Sequence, residues 1–435
     1  MPEPEPWNDM TRLRHSAPAR VVRRLAYKSI VGGGAWPLKF VACHGSPLPE
    51  EPVWDLYFHI PFCRTICPHC PYLKRRFQPD QAAQYSQAVR REVGGWVNSS
   101  NAVPLRTIYF GGGTPALLIE GISGILDDLS ARIDQNTGIG LELHPADVTP
   151  DLVKRLRSLG VDRVSLGVES LQAQVLQQLG RGIDPEMVLR AVAHLTGGGF
   201  GCVDVNLIYG LDGQRPDDVL SDAEALINLG ADQVSSYPLF SFRHTGIGVI
   251  ASWRRFLDRD RLGRDLRALY LSRGFEPTSV WSFNRPGKVG YTTVTLEAFR
   301  GFGAGAASRG IRSFQFHTFD IDEYMKPGGT RMATRLSADE RFYKAHWLYW
   351  KIYQLQVPAG RYAELFGSPL NSDFRLLRNV LKTMGWMEER GGSWRISPRG
   401  ADWVHRLQQL YSLSWIDLFW ERCQGEAWPK DVVLL

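Results

Sequence analysis

The stretch FHIPFCRTICPHCPYLKRR, residues 58–76, holds three of the chain's six cysteines. Cys63, Cys67 and Cys70 follow C-x3-C-x2-C spacing, with no fourth cysteine close by. Soft thiolates on one short loop suit three corners of an iron–sulfur cluster. A structural zinc site needs four ligands, and His59 or His69 stands near enough in sequence to supply one, so a Cys3His site is the competing reading. An open coordination position is what separates a reactive metal site from a structural one.

The surrounding pattern is β/α. Strands are predicted at 54–60, 106–110, 139–144, 163–169, 202–210 and 233–239, with amphipathic stretches between them. The intervals are long enough for right-handed β-α-β crossovers. The expected fold class is α/β: a parallel-sheet partial (β/α)6 barrel whose ligands gather at the carboxyl ends of its strands. Residues 1–50 read as a basic, irregular leader and 51–334 as the core. Residues 335–435 read as a small C-terminal helical domain with a winged-helix-like outline, its first helix capped by Ser337 with Glu340.

Composition narrows the function classes. The 44% hydrophobic and 22% charged fractions are those of an ordinary folded protein. No apolar run reaches the ~20 residues of a membrane span, and the start has no signal-peptide core. Acids at Glu3, Glu5 and Asp9 argue against an import peptide, so the expected location is cytoplasmic. The net charge of +6 comes largely from arginine and no basic recognition helix is evident, so neither nucleic acid nor membrane is expected as a partner. Cys43, Cys202 and Cys423 are scattered, which does not suggest a disulfide framework.

Several further blocks carry a resemblance. LYFHIPFCRTICPHC, IYFGGGTP (108–115), LELHP (141–145), RVSLGVESLQAQVLQQLGR (163–181), VNLIYGLDGQ (205–214) and GFGAGAAS (301–308) occur in the order found in radical SAM enzymes. They resemble the HemN-like branch, that of oxygen-independent coproporphyrinogen III oxidase. The resemblance implies a [4Fe–4S] cluster on Cys63, Cys67 and Cys70, with S-adenosylmethionine (SAM) on its unique iron. It also implies a small-molecule substrate and a flavodoxin- or ferredoxin-type electron donor.

By the same resemblance, Tyr57 and His69 lie beside the cofactor, and Gly111, Gly112, Gly113 and Thr114 contact its methionine amino end. Arg181 meets the carboxylate by the same resemblance; Glu142 ends a strand, where a carboxylate can pair with a cofactor ammonium or hydroxyl or stand as an ordinary rim charge. Glu169 and Asn206 stand where relatives usually carry Gln and Asp, near the ribose. Gly303, Ala304, Gly305 and Ala306 match a segment that helps to hold a second SAM, although a glycine-rich strand end can equally serve packing. Tyr237 is a candidate substrate contact, and a core tyrosine is the plainer alternative. Tyr72 replaces a cysteine found in porphyrinogen decarboxylases, and His69 replaces a common aromatic residue.

These departures favour a methyltransferase or cyclopropanase that moves a methyl or methylene carbon from a second SAM onto a natural product. The alternatives are tetrapyrrole chemistry, as oxidative decarboxylation or radical haem degradation, and a HemW-like haem chaperone.

Overall fold

The structure, a computed structural model, describes residues 38–43, 55–99, 104–240, 242, 244–245, 253–290, 296–328, 331–408 and 413–434, with Val21 and Arg24. Most of the expected leader, residues 1–50, lies outside the described residues.

Seven parallel strands form the heart of a nine-stranded sheet. In chain order they are β1 (Asp55–Ile60), β2 (Thr107–Gly112), β3 (Gly138–Leu143), β4 (Arg163–Glu169), β5 (Cys202–Tyr209), β6 (Gln233–Pro238) and β7 (Arg300–Phe302). The first six agree with the sequence reading and neighbour one another consecutively. The seventh, short and glycine-bearing, pairs with β1 and was not legible as a strand. Two antiparallel strands, Ser282–Asn284 and Glu276–Pro277, extend the β6 side, and among the described residues the sheet does not close on itself, so it is an open, partial barrel.

Strand alternation sorts the two faces. Leu56, Phe58, Ile60, Ile108, Phe110, Leu141, Val164, Leu166, Val205 and Val234 join one continuous apolar core. The crossover helices cover that face; Pro79–Ser99, for example, buries Tyr85, Val89, Val93 and Trp96. The opposite, concave face carries Tyr57, His59, Tyr109, Glu142, Ser165, Asp204, Asn206, Ser235 and Tyr237. Nearly every residue singled out for function on the first six strands therefore lies on one side of one sheet.

A second, five-stranded sheet unites Lys39–Ala42, Ala307–Arg309, Phe314–His317, Met332–Ser337 and Asp431–Val433. It was not foreseen, because its strands are short and far apart in sequence. Ser337 closes the fourth of them by pairing with Lys39, so it does not cap the following helix. Asp339 does, accepting a hydrogen bond from the Phe342 amide at 2.9 Å. Farther on, the helices Ala359–Phe366, Leu370–Asp373 and Arg375–Thr383 precede the hairpin Met387–Arg390/Ser393–Ile396 and the helix Pro398–Leu407. That is the winged-helix outline. A last helix, Leu413–Gly425, follows it and was not predicted.

The seam between β7 and β1 rests on stacked aromatics. Phe58 lies 4.8 Å from Phe110 and 5.0 Å from Phe302, and Trp96 meets Phe302 edge-on. Phe302 is fully buried. Phe302→Ala should lower stability by about 3–5 kcal/mol, visible as a lower urea midpoint with little change in slope.

Candidate functional site

The cysteine loop leaves the carboxyl end of β1. Its neck is closed by a two-residue parallel pairing of Phe62–Cys63 with Arg75–Arg76, and the Phe77 amide donates to the Cys63 carbonyl at 2.9 Å. Between these points Cys67 and Cys70 form a turn, with the Cys70 amide 3.2 Å from the Cys67 carbonyl. All three thiols are free. Burial pushes up the thiols of Cys63 and Cys70, the latter to about 11, with Lys74 opposing the shift in both. Thr114 hydrogen-bonds Cys63.

Cys67 is buried and Cys63 and Cys70 are half-buried; the positive charge of a metal centre would stabilise their thiolates. Among the described residues, no three His, Cys, Asp or Glu side chains converge closely enough to hold a single ion. His69 has a different occupation: its Nδ1 lies 3.3 Å from the Leu179 carbonyl, and burial lowers its imidazole to about 4. It ties the loop to the segment after β4 as a neutral ring. Pro68 packs beside Gly180, where an added Cβ would come within 2.8 Å of its ring.

The GGGT turn at the end of β2 is sewn to the same loop. The Gly113 amide donates to the Ile60 carbonyl and the Thr114 amide to the Phe62 carbonyl, both at 2.7 Å. The Gly112 amide donates to Glu142 Oε2 at 2.9 Å. A side chain at Gly113 would sit 2.6 Å from the Phe62 carbonyl oxygen, so glycine is needed there for close backbone approach. With these amides taken, the turn has more to offer a ligand that donates hydrogen bonds, such as an ammonium, than an anion.

Glu142, on β3, also accepts from the Tyr109 hydroxyl at 2.5 Å, and burial raises its carboxyl. Tyr109 was missed in the sequence; its place two residues before Gly111, on the same face, was the available signal. Tyr57 points along the same face and donates to His59 Nδ1 at 2.9 Å. Burial brings His59 down to about 4, so it is neutral, and its Nε2 lies 3.0 Å from the Leu73 carbonyl.

Glu169 and Arg181 meet at the end of β4. The Arg181 Nη1 lies 3.7 Å from Glu169 Oε1 and 3.9 Å from Cys67 Sγ, while Nη2 donates to the Gly167 carbonyl. Its Nε is buried without a partner, an orphaned donor beside a cysteine. Glu169 adopts φ 66° at a register shift against β5. A non-glycine residue held in that conformation stores strain of the sort found at ligand sites.

Deeper in the concave face lies a polar network that sequence reading did not assemble. Asn206 Nδ2 donates to Ser165 Oγ at 2.7 Å, and the Tyr237 hydroxyl donates to Asn206 Oδ1 at 2.8 Å. Ser165 and Ser235 both donate to the buried Asp204, at 2.5 and 2.9 Å. Asn206 and Tyr237 are thus joined to each other, and Tyr237 also packs edge-on against Trp281. The visible clue was three polar residues (Ser165, Asp204 and Ser235) at alternate positions of otherwise apolar strands.

The 303–306 segment is mostly taken up by packing. Ala304 and Ala306 are fully buried, and a Cβ on Gly303 would sit 2.5 Å from both the His59 carbonyl and the Tyr85 hydroxyl. Only Gly305 is partly accessible.

The donor set therefore fits a cluster with a charged, amino-acid-like ligand, and comparison with known proteins agrees. A sequence family described as the radical SAM superfamily matches residues 57–226. The heme chaperone HemW of Lactococcus lactis is 30% identical over 272 residues, covering 59% of this chain and 70% of that one. Several other HemW relatives are matched over 51% of their length. The oxygen-independent coproporphyrinogen III oxidase of Paracoccus denitrificans is 24% identical over 416 residues, covering 85% of this chain and 91% of that one. In fold, the solved coproporphyrinogen III oxidase HemN of Escherichia coli superposes with a TM-score of 0.72 at 19% identity, over 86% of this chain and 95% of that one.

The chain belongs to the radical SAM superfamily, in its HemN-like branch. It is a radical SAM enzyme, with a [4Fe–4S] cluster and SAM as its cofactors, and it requires a substrate and an electron source. Among the described residues, no helix is long and apolar enough to cross a membrane.

The relatives also overturn the carbon-transfer expectation. They are haem chaperones and coproporphyrinogen oxidases, so methylation or cyclopropanation of a natural product is not supported. That expectation leaned on local departures from the family pattern, and His69 has a structural explanation in its bond to Leu179.

Burial raises Asp204 from its ordinary 3.8 to about 7, against the opposing hydrogen bonds of Ser165 and Ser235. The folded state then binds more protons than the unfolded state between about pH 4 and 7, so this group lowers stability as pH rises through that window. Asp204→Asn should flatten that slope in urea unfolding measured across the same range.

Proposed function

We propose that this chain carries out radical SAM chemistry on a tetrapyrrole. The observation that carries the reading is the pairing of the cysteine–Arg181 mouth with relatives of two kinds, HemW and coproporphyrinogen III oxidase, whose names share a tetrapyrrole. The likeness to the oxidase runs over most of both chains, which favours an enzyme in which the C-terminal part is included.

Cys63, Cys67 and Cys70 would hold the cluster. When bound and reduced, cluster and SAM supply a 5′-deoxyadenosyl radical able to take a hydrogen atom from a substrate. The chain's own residues do the rest. Arg181, with its unpaired Nε, receives the methionine carboxylate, for which a guanidinium fork is suited. The turn at Gly111–Thr114, backed by Glu142, receives the amino end. Glu169 and Asn206 orient the ribose, the latter fixed by Ser165 on one side and Tyr237 on the other. Tyr57 and the neutral His59 hold the floor without adding charge. A second SAM would lie along Gly305.

HemW-like haem delivery is the second reading, favoured by Tyr72 standing in place of the decarboxylases' further cysteine. The two part experimentally. Anaerobically reconstituted protein with a reductant should cleave SAM to 5′-deoxyadenosine, and coproporphyrinogen III or haem should raise the yield and be consumed. Haem bound tightly but recovered unchanged would favour the chaperone. Cys67→Ala should abolish both the cluster absorption and the 5′-deoxyadenosine. Arg181→Lys should retain the cluster and weaken SAM binding by about tenfold or more, through loss of a charge-assisted bond.

A further inference from the structure

The segment directly after the third cysteine is gripped from two distant parts of the chain. The Pro71 carbonyl lies 3.0 Å from His244 Nε2 and accepts from Gln424 Nε2 at 3.2 Å. Gln424 belongs to the C-terminal helix Leu413–Gly425, and His244 follows β6. On the other side of the His244 ring, Nδ1 faces Asp417 of the same helix at 3.9 Å. Trp420, one turn before Gln424, lies 5.4 Å from the Tyr72 ring, 5.9 Å from Phe242 and 6.4 Å from His244. Lys74 closes the near side by donating to the Cys70 and Tyr72 carbonyls. Backbone and ring of one dipeptide are thus fixed by separate contacts.

The orientation this gives Tyr72 is unusual for a large apolar ring. It is 51% exposed, although its ring packs at a tilt against Trp420. Tyr72 therefore lies where the cysteine loop leaving β1 meets the segment that follows β6, at the carboxyl ends of the strands, with about half of its surface open.

We propose that Tyr72 is a substrate-contacting, specificity-determining residue whose open ring face receives a flat tetrapyrrole, and that Trp420, Gln424 and His244 are the positioning residues that hold it there. The assignment rests on the tetrapyrrole reading for its ligand, while the clamp itself rests on contacts alone. It gives the C-terminal helix a direct part in the site: a change in that helix is transmitted to the loop carrying the cluster. The ring is suited to its task because an aromatic face stacks on a planar macrocycle without demanding a particular side-chain pattern.

The test uses full-length reconstituted protein, with Tyr72→Ala, Trp420→Ala, the double variant, and Gln424→Ala as the milder change. Haem and coproporphyrin III are titrated as probes, and iron per chain and the electron paramagnetic resonance spectrum of the reduced cluster with SAM are recorded. Both single aromatic variants are expected to retain wild-type iron content and to weaken probe binding by about tenfold. The double variant should be little worse than either, because both changes remove one contact. Gln424→Ala should shift the SAM-bound cluster spectrum in the same direction as Trp420→Ala.

Unchanged probe affinity in Tyr72→Ala, or additive losses in the double variant, would overturn the proposal. If the wild type binds neither probe, the tetrapyrrole reading falls and Tyr72's assigned ligand with it. The clamp is then judged on the spectra, where identical signals from wild type, Trp420→Ala and Gln424→Ala would refute it.

Discussion

Everything at the mouth of this sheet depends on thiols held where burial opposes their ionisation. Cys63 and Cys70 sit in surroundings that favour the neutral form, and the nearby cations, Lys74 and Arg181, only partly relieve this. A metal cluster completes the electrostatics that the protein leaves open. The remaining architecture keeps that loop in place: a two-residue parallel neck, the GGGT amides bonded to the strand that enters the loop, His69 and Pro68 against the segment before Arg181, and the C-terminal helix behind Pro71.

The concave face shows how strand alternation serves both stability and chemistry. One set of side chains builds a single core with the crossover helices. The other set, one residue out of step, carries Tyr57, Tyr109, Glu142, Asn206 and Tyr237, already hydrogen-bonded to one another or to backbone. Such pre-bonded groups need little rearrangement to receive a ligand. Tyr237 illustrates the point: its hydroxyl fixes the Asn206 amide, and its ring rests on Trp281.

Local signals made the barrel legible. Six β-rich runs at crossover spacing gave the parallel strands, and the cysteine triplet with its ordered blocks gave the cofactor set. What escaped detection depended on distance in sequence. β7 is three residues long and is held by its pairing with β1 and by the stacking of Phe302 on Phe58. The five-stranded sheet joins residues 39–42 to 431–433, and no periodicity announces such a pairing. Glu92 belongs to the same class: it meets His317 at 2.7 Å and Tyr324 at 2.6 Å across more than two hundred residues. The departures at His69 and Tyr72 were visible as letters, but their meaning was not. They suggested carbon transfer, whereas His69 is bonded to a neighbouring carbonyl and Tyr72 is braced by a helix that the sequence did not reveal.

The central claim is that the radical generated at this mouth acts on a tetrapyrrole. Its most direct test is anaerobic turnover with coproporphyrinogen III or haem deuterated on the ring substituents, followed by mass analysis of the 5′-deoxyadenosine. The account predicts deuterium in the deoxyadenosine, carried there from the bound macrocycle. Deoxyadenosine that forms at saturating tetrapyrrole yet contains only protium would contradict it.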